Sequence, residues 1–154
     1  NFNTNSMTIM DIGTGAGYFP FICNELNHNG FCLDVSDNDL YNQMTDSLGL
    51  IKFERYIKCF EPINLNTDIR FDLITAYMIC FNNHKQEDLW KSDEWRFFIS
   101  DLESNYLKRN GLIVLNFNEE EPGVYFSDEL ITFFNNENYQ IDGNTILIKS
   151  SVVV

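Results

Sequence analysis

The feature of this sequence most suited to chemistry is a cluster of three glycines. They lie in Asp11-Ile12-Gly13-Thr14-Gly15-Ala16-Gly17, at the end of the apolar run 8–12. An apolar run that ends in glycines predicts a strand followed by a tight turn. Side chains at these glycines would collide with a bound molecule, so glycine lets bare backbone approach it. The pattern predicts a loop that holds a small cofactor.

An acidic residue follows at a distance typical of nucleotide-type cofactors. A second apolar run, 31–35, contains Asp34, about 20 residues beyond the glycines. A carboxylate there can accept hydrogen bonds from both hydroxyls of a ribose. The dinucleotide pattern GxGxxG fails by one position, because its third glycine would fall at Tyr18.

The pattern Asp-x-Gly-x-Gly-x-Gly, preceded by Met7-Thr8-Ile9-Met10, resembles motif I of the class I S-adenosylmethionine-dependent methyltransferases. The resemblance covers nearly the whole chain, with 70–76 and 108–114 similar to the family's fourth and fifth strands. It implies that Gly13, Gly15 and Gly17 pack against the methionine part of S-adenosylmethionine. Asp11 would orient the cofactor's amino group, directly or through water, and Asp34 would hold the ribose.

The resemblance also implies an adenine site after the third strand. With that strand predicted at 56–60, the flanking residues are Cys59, Phe60 and Glu61, and Phe60 would supply apolar contact. Tyr18 either contacts the cofactor or only begins the following helix. The remaining predicted cofactor contacts lie beside these motifs, at Thr14, Val35 and Tyr77.

The elements that position these residues alternate between strands and helices. Strands are predicted at 8–12, 31–35, 56–60, 71–77 and 112–117, and helices at 18–26, 38–48, 93–110 and 128–134. Residues 139–148 predict a hairpin with an Asp-Gly turn. This order predicts one α/β domain, residues 1–154, with a doubly wound, mostly parallel Rossmann-like sheet and a C-terminal antiparallel hairpin. Ligands are expected at the carboxyl ends of its strands.

Catalytic residues have a weaker signature. Methyltransferases that act on amide or base amino groups carry Asn/Asp-Pro-Pro-Tyr/Phe after the fourth strand, and residues 76–84 lack it. His84 lies where a general base could take a hydroxyl proton, the alternative being a surface loop histidine. Tyr77 and Asn82 either line the pocket or pack, and Trp90 and Trp95 either form a rim or pack. No metal is expected, because the histidines and cysteines lack ligand spacing.

Two departures from the family leave alternatives open. Residues 61–70 contain Pro62 and predict a loop where the family usually has a helix. About ten extended residues reach about 33 Å, so the crossover is possible but taut. The family also commonly has a lid helix before the first strand, and here only a few polar residues precede it. Three alternatives follow. The lid lies in an upstream segment, or it is supplied by another subunit or by a second copy in a homo-oligomer, or the site is open.

Composition restricts the partners. The net charge of −13 would repel nucleic acid, and no apolar run approaches the roughly 20 residues of a membrane span. The four cysteines form no CxxC pair, which favours reduced thiols in the cytoplasm.

Together these features predict an S-adenosylmethionine-dependent methyltransferase that acts on a small molecule and releases S-adenosylhomocysteine. The alternatives are a non-catalytic cofactor-binding or interaction module with this fold, or aminopropyl transfer from the same class of cofactor.

Overall fold

The computed structural model describes residues 5–150. Its strands are β1 (Thr8–Ile12), β2 (Asn29–Asp34), β3 (Ile51–Glu54), β4 (Phe71–Ile79), β5 (Leu107–Phe117), β6 (Gln140–Asp142) and β7 (Thr145–Lys149). Its helices are α1 (Tyr18–Glu25), α2 (Asp39–Ser47), α3 (Ser92–Asn105) and α4 (Asp128–Asn136). None of these helices combines the length and the apolar character that a bilayer crossing requires.

All seven strands form one sheet in the order β3-β2-β1-β4-β5-β7-β6. The first five strands pair in parallel, and β7 pairs antiparallel with both β5 and β6. The predicted mostly parallel sheet with a C-terminal hairpin is therefore confirmed. The order of the strands reverses direction at β1, so the carboxyl ends of β1 and β4 meet at the switch point where such sheets bind ligands.

The third strand was predicted at the wrong place. The sequence predicts the strand at 56–60, whereas β3 is Ile51–Glu54 and residues 55–60 lie in no strand or helix. β3 has only four residues, stands at the edge of the sheet, and leaves Ile51 59% exposed. An edge strand needs no continuous apolar run, so its sequence signal is weak.

The predicted end of α3 was also wrong. The helix ends at Asn105, and β5 begins at Leu107, where Phe71 is its partner in β4. The register between β4 and β5 shifts between Phe71 and Leu73, so β5 accommodates additional residues before Gly111. Because Gly111 lies inside this irregular strand, it does not mark the helix terminus that its sequence position suggested.

No helix connects β3 to β4, as predicted. The connection runs over residues 55–70, so it is longer than the 61–70 loop predicted from the misplaced strand and need not be taut. It is fastened to α3: the backbone N–H of Ile63 donates to Asp101 Oδ2 at 2.9 Å, and that of Leu65 donates to the Tyr106 hydroxyl at 2.9 Å. The Ile63 side chain lies in the core, where a helix would otherwise cover the sheet.

The main core lies between the sheet and the helices α3 and α4. Trp90 and Trp95 are 3% and 0% exposed, with ring centroids 5.3 Å apart, and Trp95 packs on Phe117 of β5. Both tryptophans therefore pack rather than form a rim. This rigid aromatic layer fixes the segment after β4, which contributes to the candidate site.

Candidate functional site

The glycine loop after β1 has a backbone that only glycine adopts without strain. The φ angles of Gly13, Gly15 and Gly17 are 70°, 55° and 79°. The N–H of Gly13 donates to the Leu33 carbonyl at 2.8 Å, which joins the loop to β2. At Gly17 a Cβ would stand 2.5 Å from Leu50 Cδ1, so the third glycine also permits close packing beneath α1.

Asp34, at the end of β2, holds the glycine loop in place. Its Oδ2 accepts from the Gly15 N–H at 2.7 Å, and its Oδ1 accepts from the Val35 N–H at 2.8 Å. Each carboxylate oxygen has a further lone pair, so both can still accept a ligand hydroxyl. Lys52 secures the other side of this turn, because its Nζ donates to the Val35 carbonyl at 2.8 Å.

Asp11 is a buried carboxyl group between β1 and β4. It is 5% exposed, and its Oδ1 accepts from the Thr75 hydroxyl at 2.6 Å. Burial raises the pKa of Asp11 to about 6, with the charge of Asp34 adding to the rise and the Thr75 hydrogen bond opposing it. A buried acid without a cationic partner is unfavourable for folding, and such groups are common at functional sites.

A cavity of about 670 Å³ opens at the carboxyl ends of the central strands. The residues that line it come from the glycine loop, the ends of β2 and β4, the start of α2 and the segment after β3: Ile12, Gly13, Gly15, Asp34, Val35, Asp37, Asn38, Tyr41, Tyr56, Ile57, Tyr77, Met78, Ile79, Cys80, Phe81 and Asn83. Asp34 and Asp37 are the charged residues in this lining, which contains no Lys, Arg or His. The cavity therefore favours a neutral or cationic ligand.

The structure brings many of the predicted cofactor residues to this cavity. Those in its lining are Gly13, Gly15, Asp34, Val35 and Tyr77. Gly17 and Asp11 are buried and support the loop from below.

Two further predicted contacts lie outside the lining. The Thr14 hydroxyl is buried with no hydrogen-bond partner. Tyr18 begins α1 and is 60% exposed.

Phe60 and Glu61 do not line this cavity. The Phe60 ring packs against Phe97 of α3, with the ring centroids 5.9 Å apart, and Glu61 pairs with Lys58 at 3.5 Å. Their assignment followed from the misplaced third strand. Because β3 ends at Glu54, the residues that follow the third strand and line the cavity are Tyr56 and Ile57.

The Tyr56 side chain closes this side of the cleft. Its hydroxyl donates to Asp37 Oδ2 at 2.9 Å, and this hydrogen bond raises the pKa of Tyr56. The interaction joins the segment after β3 to the turn after β2. The ring of Tyr56 is 63% exposed, so an apolar face remains available to a ligand.

The end of β4 is strained where it meets the cavity. Its pairing with β5 shifts between Ala76 and Ile79, and Met78 has a φ of 53°, which is unusual for a bulky side chain. Tyr77 packs edge-on against Phe19 of α1 at 5.5 Å, and Met78 is 64% exposed. Backbone strain of this kind clusters at ligand-binding sites, since the fold must hold it in place.

His84, in the segment after β4, has a carboxylate partner. Its Nδ1 is 2.8 Å from Glu120 Oε1, and the two side chains are 17% and 16% exposed. Glu120 Oε2 also accepts from the Lys85 N–H at 3.0 Å. His84 is not in the cavity lining, although Asn83 is, and Asn82 is buried at 3% exposure. His84 is thus a half-buried, oriented imidazole rather than a free surface side chain.

Sequence reasoning missed Glu120, Tyr56 and Tyr41. Glu120 had a usable signal, because the acidic run 119–121 follows β5 at the sheet edge where ligands bind. Tyr56 would have followed from a correctly placed third strand. Tyr41 lies in the first turn of α2, and nothing in its spacing distinguishes it from a packed aromatic residue.

Solved structures of methyltransferases resemble this one. A ribosomal protein L11 methylase from Lactobacillus delbrueckii subsp. bulgaricus aligns with a TM-score of 0.55 and 16% identity over 96% of this chain and 71% of its own. A 1,6-didemethyltoxoflavin-N1-methyltransferase from Burkholderia thailandensis was solved with bound 1,6-didemethyltoxoflavin and S-adenosylhomocysteine. It aligns with a TM-score of 0.62 and 13% identity over 96% of this chain and 72% of its own. An O-methyltransferase family protein from the same organism aligns with a TM-score of 0.60 and 12% identity over 94% of this chain and 50% of its own.

The sequence matches no protein-family profile and no curated protein. At the low identities of the structural matches, the similarity shows the fold. The chain has the Rossmann-like fold of class I S-adenosylmethionine-dependent methyltransferases.

Proposed function

We propose that this chain is a single-domain S-adenosylmethionine-dependent methyltransferase of the cytoplasm that acts on a small molecule. One observation carries the proposal: a glycine loop tethered by Asp34 opens into a cavity with two aspartates and no cationic side chain. The alternative for such a loop is a dinucleotide. A dinucleotide would bring a negatively charged diphosphate into a cavity whose lining has two aspartates and no cationic side chain, so the electrostatics favour the sulfonium compound.

In this proposal, each part of the cofactor would have a partner among the described residues. The backbone of Gly13 and Gly15 would contact the methionine part, and the buried Asp11 lies below them to attract its ammonium group. Asp34 would accept hydrogen bonds from the ribose hydroxyls while it keeps its bond to Gly15. Tyr56 and Ile57 would flank the adenine. The sulfonium group makes the methyl electrophilic without protein assistance.

The protein must then position the acceptor and remove its proton. We assign proton removal to His84 and its orientation to Glu120, which holds Nδ1 and leaves Nε2 available to accept a proton. Tyr77 and Met78 line the same cavity as Gly13 and Gly15 and give it an apolar surface. A small acceptor with an acidic O–H or N–H and an apolar body fits this arrangement.

One observation favours a second candidate, a cofactor-binding module without turnover. His84 is absent from the cavity lining, and no other histidine takes its place there. If an acceptor cannot reach the imidazole, the site binds the cofactor and transfers nothing.

The binding claim is tested by calorimetric titration with S-adenosylmethionine, S-adenosylhomocysteine and NAD. We expect the first two to bind and NAD not to bind. Asp34→Asn should weaken cofactor binding at least tenfold, because it removes the charged acceptor of two backbone N–H groups and of the ribose. Asp142→Asn, an exposed aspartate in the terminal hairpin, is the matched control. Binding of NAD alone, or equal binding by the Asp34→Asn variant, would refute the proposal.

Turnover is tested separately with labelled S-adenosylmethionine and a panel of phenols, hydroxy acids and amines. His84→Gln should lower kcat for the accepted compound by about 10²-fold or more, and Glu120→Gln by a smaller factor, with cofactor affinity unchanged. Unchanged kcat in both variants would contradict the assigned base. Cofactor binding without transfer to any acceptor would support the non-catalytic module instead.

A further inference from the structure

The two faces of the sheet are covered unequally. On the face toward α3 and α4, the central aliphatic side chains are fully buried: Ile74, Ile113, Leu115, Ile146 and Ile148 are all 0% exposed. On the opposite face, their neighbours on β4, β5 and β7 are only half-buried: Leu73, Leu112, Val114 and Leu147. We call these four residues the open strip. They are in register, Leu73 with Leu112 and Val114 with Leu147, so they form a continuous apolar surface.

Helix α1 lies on the same face as the open strip. Gly30 pairs with Ile9, and Ile9 pairs with Leu73, so all three point to one side of the sheet. A Cβ on Gly30 would stand 2.5 Å from the Pro20 carbonyl oxygen of α1, which places the helix directly above Gly30. The helix therefore covers the β1 and β2 end of this face.

Helix α1 also carries apolar side chains that do not pack on its own sheet. Pro20 and Cys23 are buried beneath it, whereas Tyr18, Ile22 and Leu26 are 60%, 53% and 63% exposed. These three residues are spaced by four positions and form one stripe along the helix and its C-cap. One face of the molecule thus presents an apolar helix stripe beside an apolar strip of sheet.

The charges beside the two surfaces are complementary. The exposed Lys149 is in register with Leu112 of the open strip, so its side chain lies on the same face of the sheet. Glu25, at the end of α1, is exposed beside Leu26, and the chain contains no Lys or Arg before Lys52. One glutamate at the end of α1 and one lysine beside the open strip thus form a complementary pair on a molecule whose net charge of −13 would otherwise oppose self-association.

We propose that two copies of this chain pair through this face, with α1 of each copy lying on the open strip of the other. A two-fold axis parallel to the strands places α1 of each copy over the open strip of the other. The same axis leaves the amino-terminal ends of the strands in the two copies at the same height. Glu25 then meets the partner's Lys149. A helix about 10 Å across matches the two strand spacings, about 10 Å, from β4 to β7.

This pairing would also affect the candidate site. Tyr77 packs against Phe19 of α1, lines the cavity, and is still 44% exposed. It stands between α1 and the open strip at the carboxyl end of the sheet. A second copy on this face would cover the exposed part of Tyr77 and thereby exclude water from one wall of the cleft.

Sedimentation equilibrium across a dilution series tests the pairing without any ligand. The wild-type chain should reach twice its 18.0 kDa mass. Ile22→Lys on α1 should yield a monomer, because a charge would enter the apolar contact. Ile131→Lys is the matched control, since Ile131 is 38% exposed on α4, which covers the other face. A monomeric wild type, or a dimer that Ile22→Lys leaves intact, would overturn the proposal.

Charge reversal distinguishes this interface from any other dimer. Glu25→Lys and Lys149→Glu should each raise the dissociation constant roughly tenfold, and the double variant should return it to near the wild-type value. Failure of the double variant to recover would show that the two residues do not meet, and would refute the proposed arrangement. Because the readout is mass, it does not depend on cofactor binding.

Discussion

The substitution Asp11→Asn should stabilise the protein while removing its function. Burial raises the pKa of Asp11 from 3.8 to about 6, and each pKa unit corresponds to about 1.36 kcal/mol. The ionised carboxylate therefore destabilises the folded state by about 3 kcal/mol. Asparagine has nearly the same shape, can accept the Thr75 hydrogen bond and carries no charge.

The sign of the pH dependence follows from the direction of the shift. Below about pH 4, Asp11 is protonated in both states and causes no penalty. The penalty develops as pH rises from about 4 to about 6 and is complete above that range. The stability gap between Asp11→Asn and the wild type should therefore open over this window.

Urea unfolding at several pH values measures this gap, because all other titrating groups are shared by the two proteins. Asp11→Asn should be about 3 kcal/mol more stable at about pH 8 and equal to the wild type at about pH 4. It should also lose affinity for S-adenosylmethionine, whose ammonium group would no longer meet a carboxylate. An Asp11→Asn variant that is less stable at about pH 8 would refute the reasoning, because Asp11 would then be a structural group.

Three further predictions concern the same loop and cavity. Gly123 has a positive φ and open space around it, so Gly123→Ala should lower the free energy of unfolding by about 1 kcal/mol. Gly17→Ala should lower it by about 1–2 kcal/mol more, because the new Cβ would also collide with its neighbours. Equal losses of the two variants in urea unfolding would contradict this. Met78→Gly should raise the free energy of unfolding by about 1 kcal/mol, because glycine adopts a φ of 53° without strain. The same variant should weaken cofactor binding. A lower free energy of unfolding would show that Met78 is not strained. The exposed Cys59 and Cys80 should both react with N-ethylmaleimide, and S-adenosylhomocysteine should protect Cys80 alone, as peptide mass spectrometry would show; equal protection would place the ligand elsewhere.

The part of the site that the sequence made predictable is the part built from local backbone. Three glycines after an apolar run specify a turn at positive φ, and the next strand necessarily delivers Asp34 beside it in a parallel sheet. The hydrogen bond from Gly15 to Asp34 follows from that geometry. These features depend on residues close in sequence or on adjacent strands.

The remainder depends on tertiary contacts. β3 is a short edge strand with little burial, so the more apolar segment after it has a stronger strand signal. Because the third strand is predicted too late in the sequence, the adenine contacts predicted from it are also too late. His84 and Glu120 lie 36 positions apart and meet only because β4 and β5 are neighbours. The half-covered sheet face could not be predicted, because alternating burial on β5 does not reveal what covers each side.

The most direct test of the cofactor site is an NMR titration of the ¹⁵N-labelled chain with S-adenosylhomocysteine. The glycine loop and the end of β2 contain backbone N–H groups that report on the proposed contacts, at Gly13, Gly15 and Val35. We expect these signals to shift in a saturable way, together with those of Tyr56 and Tyr77, and to remain still when NAD is added. Shifts confined to another part of the protein, or none at all, would contradict the assignment of this cleft as an S-adenosylmethionine site.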